Sequence, residues 1–393
     1  MENWLKGVWL LNLSLFFFFL GISVLTPVVS PFLVSLRAEP FLVGLITGVT
    51  SGLSLLSKPI GGAVGDRGYR FHALVGGNLL GALAGTLYAL SAVSGNIYLF
   101  AVGRAIHGFS MGFFFPPSLS TAVDLAPPGR VGETLGWRGM MFSLGNIIGP
   151  ALGGYISDAL GFSAAFSFTA VFSLLGAAFA FEAWKKAGTS LDGENGISGE
   201  GASYRALLTA TFIGVSLALF FFSVSYSGVT TFLPAYYKVL RLPQRVFGYY
   251  MMVLGTFSLA TRMAGGKGTD RWGPLPVATT GMLIVIGGYA SLYLYPLPLR
   301  SYLSAAIIGA GFGLSVPAMQ VMAIGNLPQR IRTMGSGVYT MFLDLGTLAG
   351  QVSLGYVAQL RGYAGVFPLL PAIAVVALLT LHLPRFVGGE GNG

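Results

Sequence analysis

Residues 55–67 read LLSKPIGGAVGDR, and residues 259–271 read LATRMAGGKGTDR. Leu55, Gly61, Gly62, Asp66 and Arg67 recur as Leu259, Gly265, Gly266, Asp270 and Arg271, and Lys58 recurs as a basic Arg262. About half the chain separates the two copies. Each closes an apolar run with a small-residue patch and an Asp-Arg pair. A long apolar chain made of two such halves is the plan of a membrane transporter.

The composition agrees. Apolar residues make up 54% of the chain and charged residues 9%, with a mean hydropathy of +0.75. A soluble domain carries about 25% charged residues. This surface therefore needs lipid as its solvent, and the 58 glycines suit helices that pack closely without a hydrophobic driving force. The formal charge of +9 is spread singly between apolar runs. No Lys/Arg block exists to track a phosphate backbone, so nucleic acid is excluded as a partner. Cysteine is absent, which removes disulfides, thiol catalysis and Cys-based metal sites. The three histidines are too dispersed for a metal cluster, and no cofactor motif is evident. In particular, the glycine-rich segments lack the P-loop pattern. The first apolar run contains Pro27 and Pro31 and has no small-x-small cleavage site, so it reads as a retained span.

A spanning helix needs about 20 mostly apolar residues. The candidates are 8–32, 42–64, 73–93, 97–120, 135–156, 163–183, 207–233, 247–268, 275–295, 300–323, 334–357 and 365–384. This pattern predicts an all-α membrane protein of twelve transmembrane helices in two pseudo-symmetric six-helix bundles. Residues 1–183 form the first bundle, the Gly- and Ser-rich stretch 184–206 a cytoplasmic linker, and 207–393 the second bundle. With the amino terminus in the cytoplasm, thirteen cations fall on inside segments, Arg138 among them, and six outside. Both termini are then cytoplasmic.

At these residues the chain resembles the major facilitator superfamily. Gly62-x-x-x-Asp66-Arg67-Gly68-x-Arg70 is similar to that family's G-x-x-x-D-R-x-G-R-R/K signature, about one residue short. Gly266-x-x-x-Asp270-Arg271-x-Gly273 keeps the glycine spacing but has Pro274 in place of a cation. The resemblance assigns Asp66, Arg67, Arg70, Asp270 and Arg271 to gating on the cytoplasmic side. A solvated turn that only sets topology is the plainer reading. Gly61 and Gly62 are expected to let the second span press on a neighbour.

Gly145-x-x-x-Gly149-Pro150-x-x-Gly153-Gly154 resembles the antiporter motif of the family's drug:proton antiporter branch, while generic Gly packing is the alternative. Pro150 should bend the fifth span. Arg104-x-x-x-Gly108 resembles the family's fourth-span Arg-Gly motif. A cation at that depth costs about 2.5–3.5 kcal/mol, so it needs a task, either proton coupling or satisfaction by backbone carbonyls. His107, on the same helical face, is a candidate proton relay or a packing residue. Asp344 lies near the middle of the eleventh span, whereas the other twelve carboxylates fall in tails, loops or span ends. It is the leading proton carrier, with a structural hydrogen-bonding role as the alternative. The resemblance places the substrate cavity on spans one, four, seven and ten, with Asn12, Phe113, Phe220 and Tyr226 among its residues.

The expected function is secondary active transport in the cell membrane: proton-coupled efflux of small hydrophobic or amphipathic compounds by a monomer, a multidrug antiporter in type. Its partners are the lipid bilayer, a small-molecule substrate and protons, with sodium as the other candidate ion. A sugar or organic-anion carrier with Arg104 as anion ligand, a non-transporting sensor and a membrane-embedded enzyme are the alternatives. No catalytic or metal constellation supports the last of these.

Overall fold

The computed structural model describes residues 2–126, 130–187, 208–294, 298–325, 327 and 329–383. The part of the expected linker from 188 to 206 lies outside them. Among the described residues there is no strand. The helices are α1 (Glu2–Val24), α2 (Val29–Ser35), α3 (Pro40–Val64), α4 (Arg70–Ser94), α5 (Ile97–Asp124), α6 (Val131–Leu160) and α7 (Phe162–Ala187). They continue as α8 (Ala210–Ser227), α9 (Leu233–Val239), α10 (Gln244–Trp272), α11 (Pro274–Leu294), α12 (Pro298–Ile324), α13 (Gln329–Arg361) and α14 (Leu369–Leu381).

Each of the twelve expected spans has its helix. The first is broken between α1 and α2 around Pro27, and the seventh widens to an i→i+5 turn over Gly228–Phe232 before α9. Such widened turns recur at functional sites. Among the described residues nine helical segments are long and apolar enough to cross a membrane. The three that fall short are α6, α10 and α13. Ionisable residues dilute the apolar content of α10 (Arg262, Lys267, Asp270 and Arg271) and α13 (Asp344 and Arg361), and glycines with Asn146 and Pro150 dilute that of α6.

The chain divides into two units. The first comprises Met1–Ala38, Ile46–Ile197 and Tyr237–Tyr249. The second comprises Glu39–Leu45, Ser198–Tyr236 and Tyr250–Gly393. In the first unit α4 packs against α5 and α7, and α1 packs against α6 and α7. Its core is aromatic: Phe18 stacks on Phe114 at 3.8 Å between ring centroids, and Tyr88, Phe100 and Phe166 are fully buried together. In the second unit α8 is enclosed by α12, α13 and α14, and α11 lies on α12.

The duplicated stretch does the same work twice. In the first unit the Ser57 hydroxyl of α3 donates to the Gly108 carbonyl of α5 at 3.1 Å. In the second, the Thr261 hydroxyl of α10 donates to the Ala310 carbonyl of α12 at 2.9 Å. A methyl on Gly61 would fall 3.0 Å from the Phe113 Cα, and one on Gly265 would fall 3.2 Å from the Leu314 Cα. These close approaches are what small residues supply where lipid offers no drive to associate. Gly62 and Gly266, by contrast, have open space where a side chain would stand. The expectation that both glycines of the pair serve packing therefore holds for one of them, because adjacent helical positions face about 100° apart.

Candidate functional site

Asp344 places a buried carboxyl group in the second unit. It is 6% exposed, while its neighbours Leu343 and Leu345 are 41% and 42% exposed. The side chain therefore turns inward between two half-exposed neighbours, while a different face of α13, that of Gly346 and Gly350, packs on α8. That packing is tight because of glycine: a methyl on Gly350 would meet the Val224 carbonyl at 2.7 Å, and one on Gly346 the Ser223 Cβ at 2.9 Å. Two turns on from Asp344, the Gln351 Nε2 donates to the Thr231 hydroxyl at 3.2 Å, inside the widened turn. Phe220 lies on α8, its ring edge-on to Phe221 at 5.1 Å, and Tyr226 sits 5.3 Å from Phe312 of α12.

In the first unit Arg104 and His107 share α5 and both adjoin Tyr88 of α4. The Arg104 Nη2 donates to the Thr47 carbonyl of α3 at 3.0 Å, and the Thr50 hydroxyl donates to the Arg104 carbonyl at 2.8 Å. His107 is fully buried, and its Nδ1 lies 3.2 Å from the Tyr88 hydroxyl of α4. Arg104 thus ties α5 to α3, and with His107 it also adjoins Tyr88 of α4. Asn12 of α1 is buried, and its amide nitrogen has no hydrogen-bond partner among the described residues. Phe113 lines an apolar groove of about 510 Å³ with Val64, His72, Gly76 and Leu80.

The two Asp-Arg copies adopt different local structures. The first forms the tight turn between α3 and α4, in which Gly68 takes φ 88°, a conformation that favours glycine. Arg70 pairs with Asp124 at the end of α5, and its Nε donates to the Gly65 carbonyl at 3.3 Å. Arg67 is exposed, and the Asp66 side chain lies outside the described part of the chain. The second copy stays helical to Trp272 and stops at Gly273, φ 83°. Asp270 and Arg271 are exposed there, with the Arg271 guanidinium 5.7 Å from the Trp272 ring centroid.

On α6, Gly145, Gly149 and Gly153 face α1. Methyls there would meet the Phe19 Cβ at 3.1 Å, the Ser23 Cβ at 2.5 Å and the Val24 Cα at 2.9 Å. The Ser23 hydroxyl adds a hydrogen bond to the Asn146 Oδ1 at 2.9 Å. Gly154, one position on from Gly153, faces the start of α10, where a methyl would fall 2.7 Å from the Arg245 Cα. Pro150 lies between the second and third of these glycines, within the continuous helix.

Two groups escape the sequence reading. Asp158, near the end of α6, accepts hydrogen bonds from the backbone N–H groups of Gln244 and Arg245 at 2.8 and 2.9 Å, and so caps α10. Arg138 is no loop cation. It lies in the second turn of α6, half-buried, and its Nη2 donates to the Ser118 hydroxyl of α5 at 2.9 Å. The only sequence signal for it was a lone cation within an expected span. Among the described residues no group of three His, Asp or Glu is placed to hold a metal ion.

This arrangement of two helical units, each with a glycine-stitched pair of helices and intramembrane polar residues, is that of a polytopic membrane protein built by duplication. A family model, Major Facilitator Superfamily, matches residues 11–351, and the chain belongs to that family. An uncharacterized MFS-type transporter of Burkholderia mallei is 31% identical over 200 residues, 50% of this chain and 48% of its own length. The chain thus matches about half the length of that relative. One of Methanocaldococcus jannaschii is 22% identical over 387 residues, 96% of this chain and 98% of its own. The same fold occurs in a bacterial homologue of the human lysosomal transporter Spinster. The TM-score is 0.78 at 17% identity, covering 98% of this chain and 97% of the other.

Proposed function

We propose that the chain is a secondary transporter of the cell membrane, monomeric and with cytoplasmic termini, that couples proton movement to the export of small amphipathic molecules by alternating access. Residues 1–183 and 207–393 would act as the two bundles, joined by the 184–206 linker. The observation that carries this reading is Asp344. A carboxyl buried within the eleventh span, between two half-exposed leucines, is costly to maintain and marks a functional site by default. Burial favours its protonated form and hydration its ionised form, so a cycle that alternates the two environments loads and releases a proton. The glycine face of α6 and the Arg70–Asp124 pair are the parts of a scaffold that packs closely and is pinned at one end.

The test uses purified protein in proteoliposomes with an imposed pH gradient and a panel of fluorescent amphipathic dyes. Gradient-driven dye movement by the wild type, lost in Asp344→Asn while dye binding persists, is expected. Full gradient-driven activity in Asp344→Asn rejects Asp344 as the proton carrier. His107 and Arg104 are the next candidates for proton coupling, and Asn12, Phe113, Phe220 and Tyr226 for the cavity. Arg67, Arg70, Asp66, Asp270 and Arg271 are the candidates for gating.

A further inference from the structure

Arg138 has no carboxylate partner among the described residues. A guanidinium carries five N–H donors. Here one reaches the Ser118 hydroxyl at 2.9 Å, and the Nε is buried with no acceptor among the described residues. The guanidinium carbon lies 5.5 Å from the ring centroid of Phe115. Lys58 of α3 approaches the same ring, its Nζ 5.6 Å from the centroid. Two cations from two helices therefore converge on one aromatic side chain of the helix between them.

The carboxylates of the three contributing helices are committed elsewhere. α3 contains none. The single acid of α5, Asp124, pairs with Arg70. The two acids of α6 are Glu133, 3.8 Å from Arg130, and Asp158, which caps α10. A half-buried guanidinium with one neutral hydroxyl and one ring for company is under-satisfied, because a charge taken from water needs an opposite charge or several hydrogen bonds. Its planar fork matches a carboxylate or sulfonate in two parallel hydrogen bonds. Beside it stands an aromatic wall: Phe19 is edge-on to Phe115 at 6.1 Å and to Phe142 at 4.5 Å.

We propose that Arg138, with Ser118, Lys58 and Phe115, forms an anion-accepting subsite for the acidic end of a small amphipathic organic anion, whose apolar body lies along the half-buried rings of Phe115 and Phe142. This rests on the transport reading for its biological meaning, but not for its measurement. Arg104 also donates to the Thr47 carbonyl and has a buried Nε without an acceptor, but no second cation shares a ring with it among the described residues.

The probe is 1-naphthoate, compared with 1-naphthalenemethanol of similar shape and no charge. Binding to the full chain in detergent is read by quenching of tryptophan fluorescence, Trp137 being adjacent in sequence to Arg138. Wild-type protein is expected to bind naphthoate saturably and at least tenfold more tightly than the alcohol. Arg138→Gln should lose at least tenfold for naphthoate and little for the alcohol. Arg138→Lys should recover part of the loss, and Lys58→Gln should weaken naphthoate by a smaller factor. Arg130→Gln, an exposed cation on the same helix, is the control expected to bind as wild type. If Arg138→Gln fails to fold, Arg138→Lys and Lys58→Gln decide the matter by the same naphthoate-to-alcohol ratio. No saturable naphthoate binding by the wild type, or a ratio that none of these variants changes, overturns the subsite. The assay needs no ion gradient. Its failure therefore leaves the Asp344 test standing, and loss of proton-driven transport leaves this binding result standing.

Discussion

Removing the Asp158 carboxylate should release the first turn of α10. Asp158 is 13% exposed at its side chain and accepts from the N–H groups of Gln244 and Arg245 at 2.8 and 2.9 Å. The first N–H groups of any helix lack intrahelical partners, so a carboxylate there satisfies two of them and complements the helix dipole. Losing a capping side chain costs about 0.5–2 kcal/mol. Hydrogen bonds to a charged group contribute about 1.5–3 kcal/mol. The Arg245 Nε lies 4.0 Å from the carboxylate and half-exposed, so that pair adds little. Taking about 2 kcal/mol for the release, and tenfold per 1.4 kcal/mol, the local opening equilibrium should rise by roughly 30-fold. Amide hydrogen exchange in nanodiscs reads it directly. In Asp158→Ala the Gln244 and Arg245 amides should exchange roughly 30-fold faster. Asp158→Asn keeps an acceptor oxygen and should show a smaller rise. The Leu99 amide, capped by the Asn96 Oδ1 at 3.2 Å at the start of α5, is the internal control and should not change. Unchanged exchange at Gln244 and Arg245, or an equal rise at Leu99, would refute the assignment of Asp158 as a local cap.

Three further outcomes follow from the packing. Gly149→Ala places a methyl 2.5 Å from the Ser23 Cβ and 3.1 Å from the Leu20 carbonyl, and should cost about 1–3 kcal/mol, while Gly62→Ala meets nothing and should leave the melting temperature unchanged or higher. Tyr88→Phe removes the hydroxyl at 3.2 Å from the His107 Nδ1 and leaves a buried ring nitrogen unpaired. A loss of about 1–3 kcal/mol is expected, with a coupling of about 1 kcal/mol in a double-mutant cycle with His107→Phe. Arg70→Asp and Asp124→Arg should each lower thermal stability by up to about 1 kcal/mol from the ion pair alone, and the double swap should recover most of it; no recovery would deny the pairing.

The membrane helices were legible in the sequence because each spanning segment must satisfy its own backbone in lipid. A run of apolar residues is therefore sufficient evidence for a helix, whatever it packs on. The duplication was equally plain. Ser57 and Thr261, Gly61 and Gly265, read as repeats in the chain and make matching contacts in the two units. The stripe of glycines on α6 also declared itself, since residues four apart share a face of any helix.

What the chain alone does not encode is the rotation of each helix about its axis and the identity of the neighbour on each side. Arg104 and His107 share a helical face on paper, and only the packing shows that both adjoin Tyr88 of α4 while Arg104 also donates to α3. Gly61 and Gly62 are the same residue type in adjacent positions, and only one touches a neighbour. Arg138 counted as a loop cation until α5 supplied Ser118 and Phe115, and Asp158 was an anonymous span-end acid until the first turn of α10 arrived beneath it. Local composition determined that these helices exist, while their ends lie several residues from the expected ones, as in α13, Gln329–Arg361 against 334–357. Contacts between residues far apart in the chain decided which side chains are buried, paired or left for a ligand, because that choice is made by how surfaces fit and not by any property a single segment carries.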